Sequence, residues 1–130
     1  MAFNSDSKKT ILIASDDKTT TECILNIIDK EQFNAICLRK ASEVLLNILD
    51  VDLDLLIIDT ELSGISGIEA MPIIKKLRPN VPIIIVSSDN SFEVGQQIAE
   101  LGIWSSLNKP IETDKLECFL SYVQMQSSTV

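Results

Sequence analysis

Leu55 to Gly67 reads L-L-I-I-D-T-E-L-S-G-I-S-G, an apolar run that drives into Asp59 and then a loop carrying Gly64 and Gly67. A carboxylate there is aimed out of the end of a buried strand, where it can act as a nucleophile or a cation ligand. Other apolar runs end in the same way: Asp16 and Asp17 follow the first, Ser87 and Ser88 the fourth, and Lys109 the fifth. If the first and third runs are neighbours, Asp16, Asp17 and Asp59 crowd together, and like charges at that range resist joint ionisation unless a cation sits among them. A hard divalent ion meets that need, because magnesium takes oxygen ligands, keeps several waters and is commonly held by one or two carboxylates plus a phosphate. The sequence contains no histidine. Imidazole triads, imidazole zinc sites and imidazole general bases are therefore excluded, leaving carboxylates, hydroxyls and lysine.

The elements that must position these residues follow from periodicity. Short runs rich in Ile, Val and Leu at Thr10–Ala14, Phe33–Leu38, Leu53–Ile58, Pro82–Val86 and about Trp104–Leu107 alternate with stretches of helical period. That rhythm marks a parallel sheet covered on both faces, an α/β fold. Thr20, Ile24, Ile27 and Ile28 form one helical stripe, and Val44, Leu45, Ile48 and Leu49 another. Ser66 to Glu69 has the spacing of a capping box, opening a third helix in which Pro72 predicts a kink or a late start. A fourth helix follows Ser91, with Val94, Ile98 and Leu101 inward and Gly102 as its stop. Leu116, Phe119, Leu120 and Val123 face inward from the fifth. In an open parallel sheet, ligands bind beyond the carboxyl ends of the strands, which is where the polar residues gather.

The totals bound the function. A chain of 130 residues, 45% of them hydrophobic, has the size of a single domain. Residues 1–130 are therefore read as one domain, with about 1–7 and 126–130 as flexible ends. A net charge of −8 argues against a nucleic-acid surface and favours cations or basic protein partners. Cys23, Cys37 and Cys118 are scattered and odd in number, so buried free thiols are expected rather than disulfides or a zinc site. The opening residues lack the apolar stretch of a signal peptide and no run reaches membrane-spanning length, so the expected location is cytoplasmic.

With Asp-Asp, Asp, Ser and Lys behind the first, third, fourth and fifth strands, the sequence resembles the receiver domains of two-component response regulators. The segments that carry the resemblance are I-L-I-A-S-D-D, D-L-L-I-I-D-T-E-L-S-G-I-S-G, V-P-I-I-I-V-S-S and L-N-K-P, in that order. It implies a doubly wound five-stranded parallel sheet of order 2-1-3-4-5. It also implies that Asp59 accepts a phosphoryl group from the phosphohistidine of a sensor histidine kinase or phosphotransfer protein. Asp17, Asp59 and the backbone carbonyl of Glu61 would hold Mg²⁺, with Asp16 acting mainly through water. Ser87, beside Ser88, would bind the phosphoryl group, and Lys109 would pair with Asp59 before transfer and with the phosphoryl oxygens after it. Lys109-Pro110 matches a pair that in this family usually has a cis peptide bond.

Two positions depart from the family pattern. Ser106 stands where an aromatic ring is usual, which puts the usual coupling of hydroxyl and ring movements in question. Trp104, two residues earlier and on the same side of an ideal strand, is either a substitute readout or a contact residue. The loop after Asp59 places the acidic Glu61 by the site, and Asp89 adds another acid, so both should tune the lifetime of the phosphoryl group.

Taken singly, each feature has a plainer reading: Asp16 and Asp17 as a helix cap, Asp59 as a turn residue, the serines as a strand end, Lys109 as a solvated lysine. Their joint occurrence at one sheet edge carries the inference. The chemistry expected is self-phosphorylation and dephosphorylation, not that of a turnover enzyme, with an unidentified output partner and no direct contact of this segment with nucleic acid or membrane. The alternatives are a degenerate receiver that docks proteins without phosphorylation and, more remotely, a phosphatase of haloacid-dehalogenase type. The second requires Asp-x-Asp after the first strand, whereas D-T-E follows the third.

Overall fold

A computed structural model describes residues 8–88, 92–100, 102 and 105–126. Strands and helices alternate: β1 (Lys9–Ala14), α1 (Lys18–Ile27), β2 (Phe33–Leu38), α2 (Ala41–Asp50), β3 (Leu55–Asp59), α3 (Gly67–Leu77), β4 (Ile83–Ser87), α4 (Phe92–Glu100), β5 (Ser105–Asn108) and α5 (Thr113–Met125). The five strands form one parallel sheet of order β2-β1-β3-β4-β5, as expected.

The central strands are apolar at almost every position because both faces are covered, and successive side chains leave to opposite sides. Ile11, Ile13, Leu55, Ile57, Ile84 and Val86 join Ile24 of α1 and Leu116, Leu120 and Val123 of α5 in one core layer. Leu12, Ala14, Leu56, Ile58, Ile83 and Ile85 join Val44 and Ile48 of α2 and Ala70, Met71 and Ile74 of α3 in the other. Each buried Leu or Ile contributes about 1.5–3 kcal/mol to this packing. Among the described residues no helix is long and apolar enough to cross a membrane.

Several expectations shift. The third strand starts at Leu55 rather than Leu53: just before it the Asp54 amide still donates to the Thr10 carbonyl at 2.9 Å, but the Thr10 amide goes to the Asp54 carboxylate at 2.8 Å rather than to a backbone carbonyl. It ends on Asp59 itself, and the fourth strand runs one residue later than Pro82–Val86. Leu49 is 54% exposed instead of inward. The buried row of α2 is Ala41, Val44 and Ile48, and Leu49 lies about 100° round the helix from Ile48. The thiols are not buried: Cys37 and Cys118 are exposed and Cys23 is half-buried. Cys37 lies on the edge strand β2, where only Phe33 is fully covered.

In α4, Ile98 packs on the second core layer and Gly102 has φ +66° just beyond the helix end. The side chains of Val94 and Leu101, and Ser91, lie outside the described residues, as do the expected loose ends apart from Gln126, which closes α5. The capping box forms, with the Ser66 hydroxyl accepting from the Glu69 amide at 3.1 Å and the Glu69 carboxylate from the Ser66 amide at 3.0 Å. The helix starts there, at Gly67, and continues through Pro72 without the expected delay. Pro72 is exposed and cannot donate to the Ile68 carbonyl. Pro72→Ala should therefore raise stability by about 1–2 kcal/mol, the restored donor outweighing the looser unfolded chain. Urea denaturation checks this, and an unchanged or lower midpoint would show that the helix already accommodates the ring.

Candidate functional site

Strand alternation aims the site residues. Asp59 shares the parity of Leu55 and Ile57, so its side chain leaves β3 toward α1 and α5, and Lys109 shares the parity of Leu107 just past β5. Asp17 arrives from the same side as the N-cap of α1. The three meet: the Lys109 ammonium lies 2.8 Å from an Asp59 oxygen, 3.0 Å from an Asp17 oxygen and 3.2 Å from the Glu61 carboxylate. Asp59 is 1% exposed. Its Oδ2 also accepts the Ser15 hydroxyl at 2.6 Å and its Oδ1 the Glu61 amide at 3.0 Å.

The cation among the carboxylates is thus the lysine. Burial works against its charge, yet the hydrogen bonds to Asp59 and Asp17 and the attraction of Asp59 outweigh that, so its pKa is raised. Asp17 is held below the ordinary carboxylate range, first by the Thr20 hydroxyl at 2.7 Å and then by Lys109. Asp16 does not join them. Its oxygens accept from the Arg39 guanidinium at 3.0 Å and from the Ser63 hydroxyl at 2.9 Å, and these bonds, Ser63 first, lower its pKa.

Ser87 is buried at the end of β4, on the opposite parity, and Ser88 is exposed, its hydroxyl 3.4 Å from the Glu61 carboxylate. Ser106 pairs in register with Ile85 and is half-buried, on the same side of the sheet as Ser87. Asp89 and Trp104 lie outside the described residues. The Lys109-Pro110 bond is cis.

The profile of the response regulator receiver domain family matches residues 11–120. The chain belongs to that family. A receiver domain protein from Methanospirillum hungatei, described as CheY-like, superposes with a TM-score of 0.80 at 27% identity, over 90% of this chain and 94% of that one. Among curated relatives, the nitrogen assimilation regulatory protein NtrX of Azorhizobium caulinodans is 28% identical over 82% of this chain. The DNA-binding transcriptional regulator NtrC of Azospirillum brasilense is 29% identical over 85% of it. This receiver spans about a quarter of the length of those relatives, 24% and 23% respectively.

Several residues that shape the receiver's site carry little signal in the sequence. Ser15 sits within the I-L-I-A-S-D-D segment, and a hydroxyl directly behind an apolar strand was its only signal. Thr20 falls in the inward stripe of α1, yet it is a buried polar residue bonded to Asp17. Gly67 was visible as a loop glycine, and its role needs the fold. A Cβ there would fall 2.9 Å from the carbonyl carbon of Asp59 and closer still to its oxygen, nearer than real Cβ atoms approach backbone. Gly67→Ala should thus displace the end of β3 and lower stability by about 1–3 kcal/mol in urea denaturation. The amide NMR signals of Asp59 and Thr60 should move most. A variant as stable as the parent with those signals in place would show that the loop absorbs the methyl group.

Proposed function

We propose that this receiver accepts a phosphoryl group on Asp59 and uses its presence to alter binding to an output partner. The observation that carries the reading is the buried Asp59 carboxylate held 2.8 Å from the Lys109 ammonium, with Asp17 on the same ammonium. A cation already at hand stabilises the charge that builds on the equatorial oxygens during transfer, without reorganising the site. The Asp59 oxygen attacks phosphorus, the phosphorus–nitrogen bond of a phosphohistidine breaks, and its electron pair stays on the imidazole. The donor is the phosphohistidine of a sensor histidine kinase or phosphotransfer protein. Lys109 then turns from the carboxylates to the phosphoryl oxygens, a task that suits a compact point charge on a flexible stem.

The donor set suits magnesium. Among the described residues no group of three or more acidic or thiol side chains is gathered to hold a metal unaided. Asp17 and Asp59 nevertheless converge on one cationic atom, and two carboxylates with waters and a carbonyl are what this ion commonly takes. Asp17, Asp59 and the Glu61 carbonyl would hold it, Asp16 acting through water. Bound there, it would neutralise charge on the transferred group. Ser87 would hydrogen-bond that group, with Ser88 adjacent. Glu61, beside the Lys109 ammonium, and Asp89, two residues after Ser87 in the sequence, would tune the phosphoryl lifetime. Ser106 offers no ring to report the change, so a population shift in α4, β5 and α5 would carry it, with Trp104 either a substitute readout or a contact residue. The domain acts in the cytoplasm as a signalling module rather than by turnover, with no direct hold on nucleic acid.

Incubation with a small acyl phosphate and Mg²⁺ should label the parent protein with one phosphoryl group. EDTA or Asp59→Asn should abolish the label. Equal labelling of parent and variant would remove Asp59 from its role, and no labelling of the parent would favour a receiver that docks its partner without phosphorylation.

A further inference from the structure

Asp16 stands beside the basin but is turned out of it. Both Nε and a terminal nitrogen of Arg39 lie 3.0 Å from its Oδ1, and the Ser63 hydroxyl lies 2.9 Å from its Oδ2, so both carboxylate oxygens are engaged. A planar guanidinium that offers two donors to one carboxylate is a charge-neutralising, orienting partner. Arg39 is brought there by backbone. It follows β2, its carbonyl accepts the Ser63 amide at 3.0 Å, and Lys40 forms a parallel bridge with Ser63, whose carbonyl accepts the Ala41 amide at 3.1 Å. This small zipper ties the loop after Asp59 to the loop after β2. The Asp16 amide meanwhile donates at 2.8 Å to the Glu61 carbonyl, so the clamped residue touches the oxygen assigned above to the metal.

From this arrangement we infer that Arg39 is a built-in competitor for Asp16: it holds that carboxylate outside the basin and so weakens the affinity of this receiver for divalent cations. The inference rests on the metal-binding reading above. Arg39 touches neither Asp59 nor Lys109, so it acts through Asp16 as a positioning residue. The pair is open to solvent, with side-chain exposures of 77% for Arg39 and 36% for Asp16, and it therefore competes rather than locks. Removing the guanidinium leaves the backbone zipper intact, since none of its bonds uses the side chain. It returns one uncompensated negative charge to the edge of the basin.

Titration of the whole chain with Mg²⁺ alone, followed by calorimetry, should show Arg39→Ala binding about three- to ten-fold more tightly than the parent at low salt, with the gain shrinking at high salt. Asp16→Asn should cost little in the parent background and clearly more in the Arg39→Ala background, because only there is the carboxylate at liberty. Urea denaturation of each variant keeps loss of folding separate from loss of binding. Equal affinities for parent and Arg39→Ala, with an Asp16→Asn loss that is the same in both, would overturn the inference while leaving the metal-binding reading in place. Binding by none of the proteins, or binding untouched by Asp17→Asn, would overturn both.

Discussion

The contact on which the carboxyl end of this sheet depends is the Lys109 ammonium set among Asp59, Asp17 and Glu61. Asp59 is almost wholly buried, and placing a polar side chain there without partners is costly. The lysine supplies the charge, and Ser15 and the Glu61 amide supply the remaining hydrogen bonds. Among the described residues no buried side-chain nitrogen or oxygen is left without a partner. Because β5 is an edge strand two strands away from β3, the ion pair also draws the loop after β5 across the end of β4. A polar contact thus closes a sheet whose interior is otherwise apolar.

The loop after Asp59 is held on several sides. Its start bonds back to Asp59 through Glu61, its middle is zipped to the loop after β2 through Ser63, and its end passes into α3 through the Ser66 capping box. Gly67 lets that helix start against the backbone of Asp59, where any side chain would intrude. The result is a carboxylate fixed in position by its backbone neighbours and by Lys109 and Ser15. The two apolar layers lie on either side of the sheet, apart from this polar end.

Much of the architecture was legible in the sequence because it rests on local periodicity. Leu55 to Ile58 and Ile83 to Val86 are too continuously apolar for a half-exposed strand, and stripes such as Leu116, Leu120 and Val123 fit only a helix face. The polar residues behind the strands were legible for the same reason. Leu49 is exposed against expectation because a stripe in sequence does not show which of its edges meets the sheet. The cysteines depart from expectation because general burial tendencies show neither that Cys37 lies on an edge strand nor that Cys118 lies on an exposed position of α5.

The sequence by itself determined which residues leave the ends of the strands and therefore which chemistry is available: carboxylates, hydroxyls and one lysine, with imidazole absent. Only the tertiary structure decided how those groups divide. Asp16 and Asp17 are neighbours in the chain, yet one faces Arg39 and Ser63 while the other faces Lys109 and Thr20. That division depends on cations brought from positions 23 residues ahead of Asp16 and 92 residues ahead of Asp17. Coulombic pairing is settled by distance in space, which spacing along a chain does not encode.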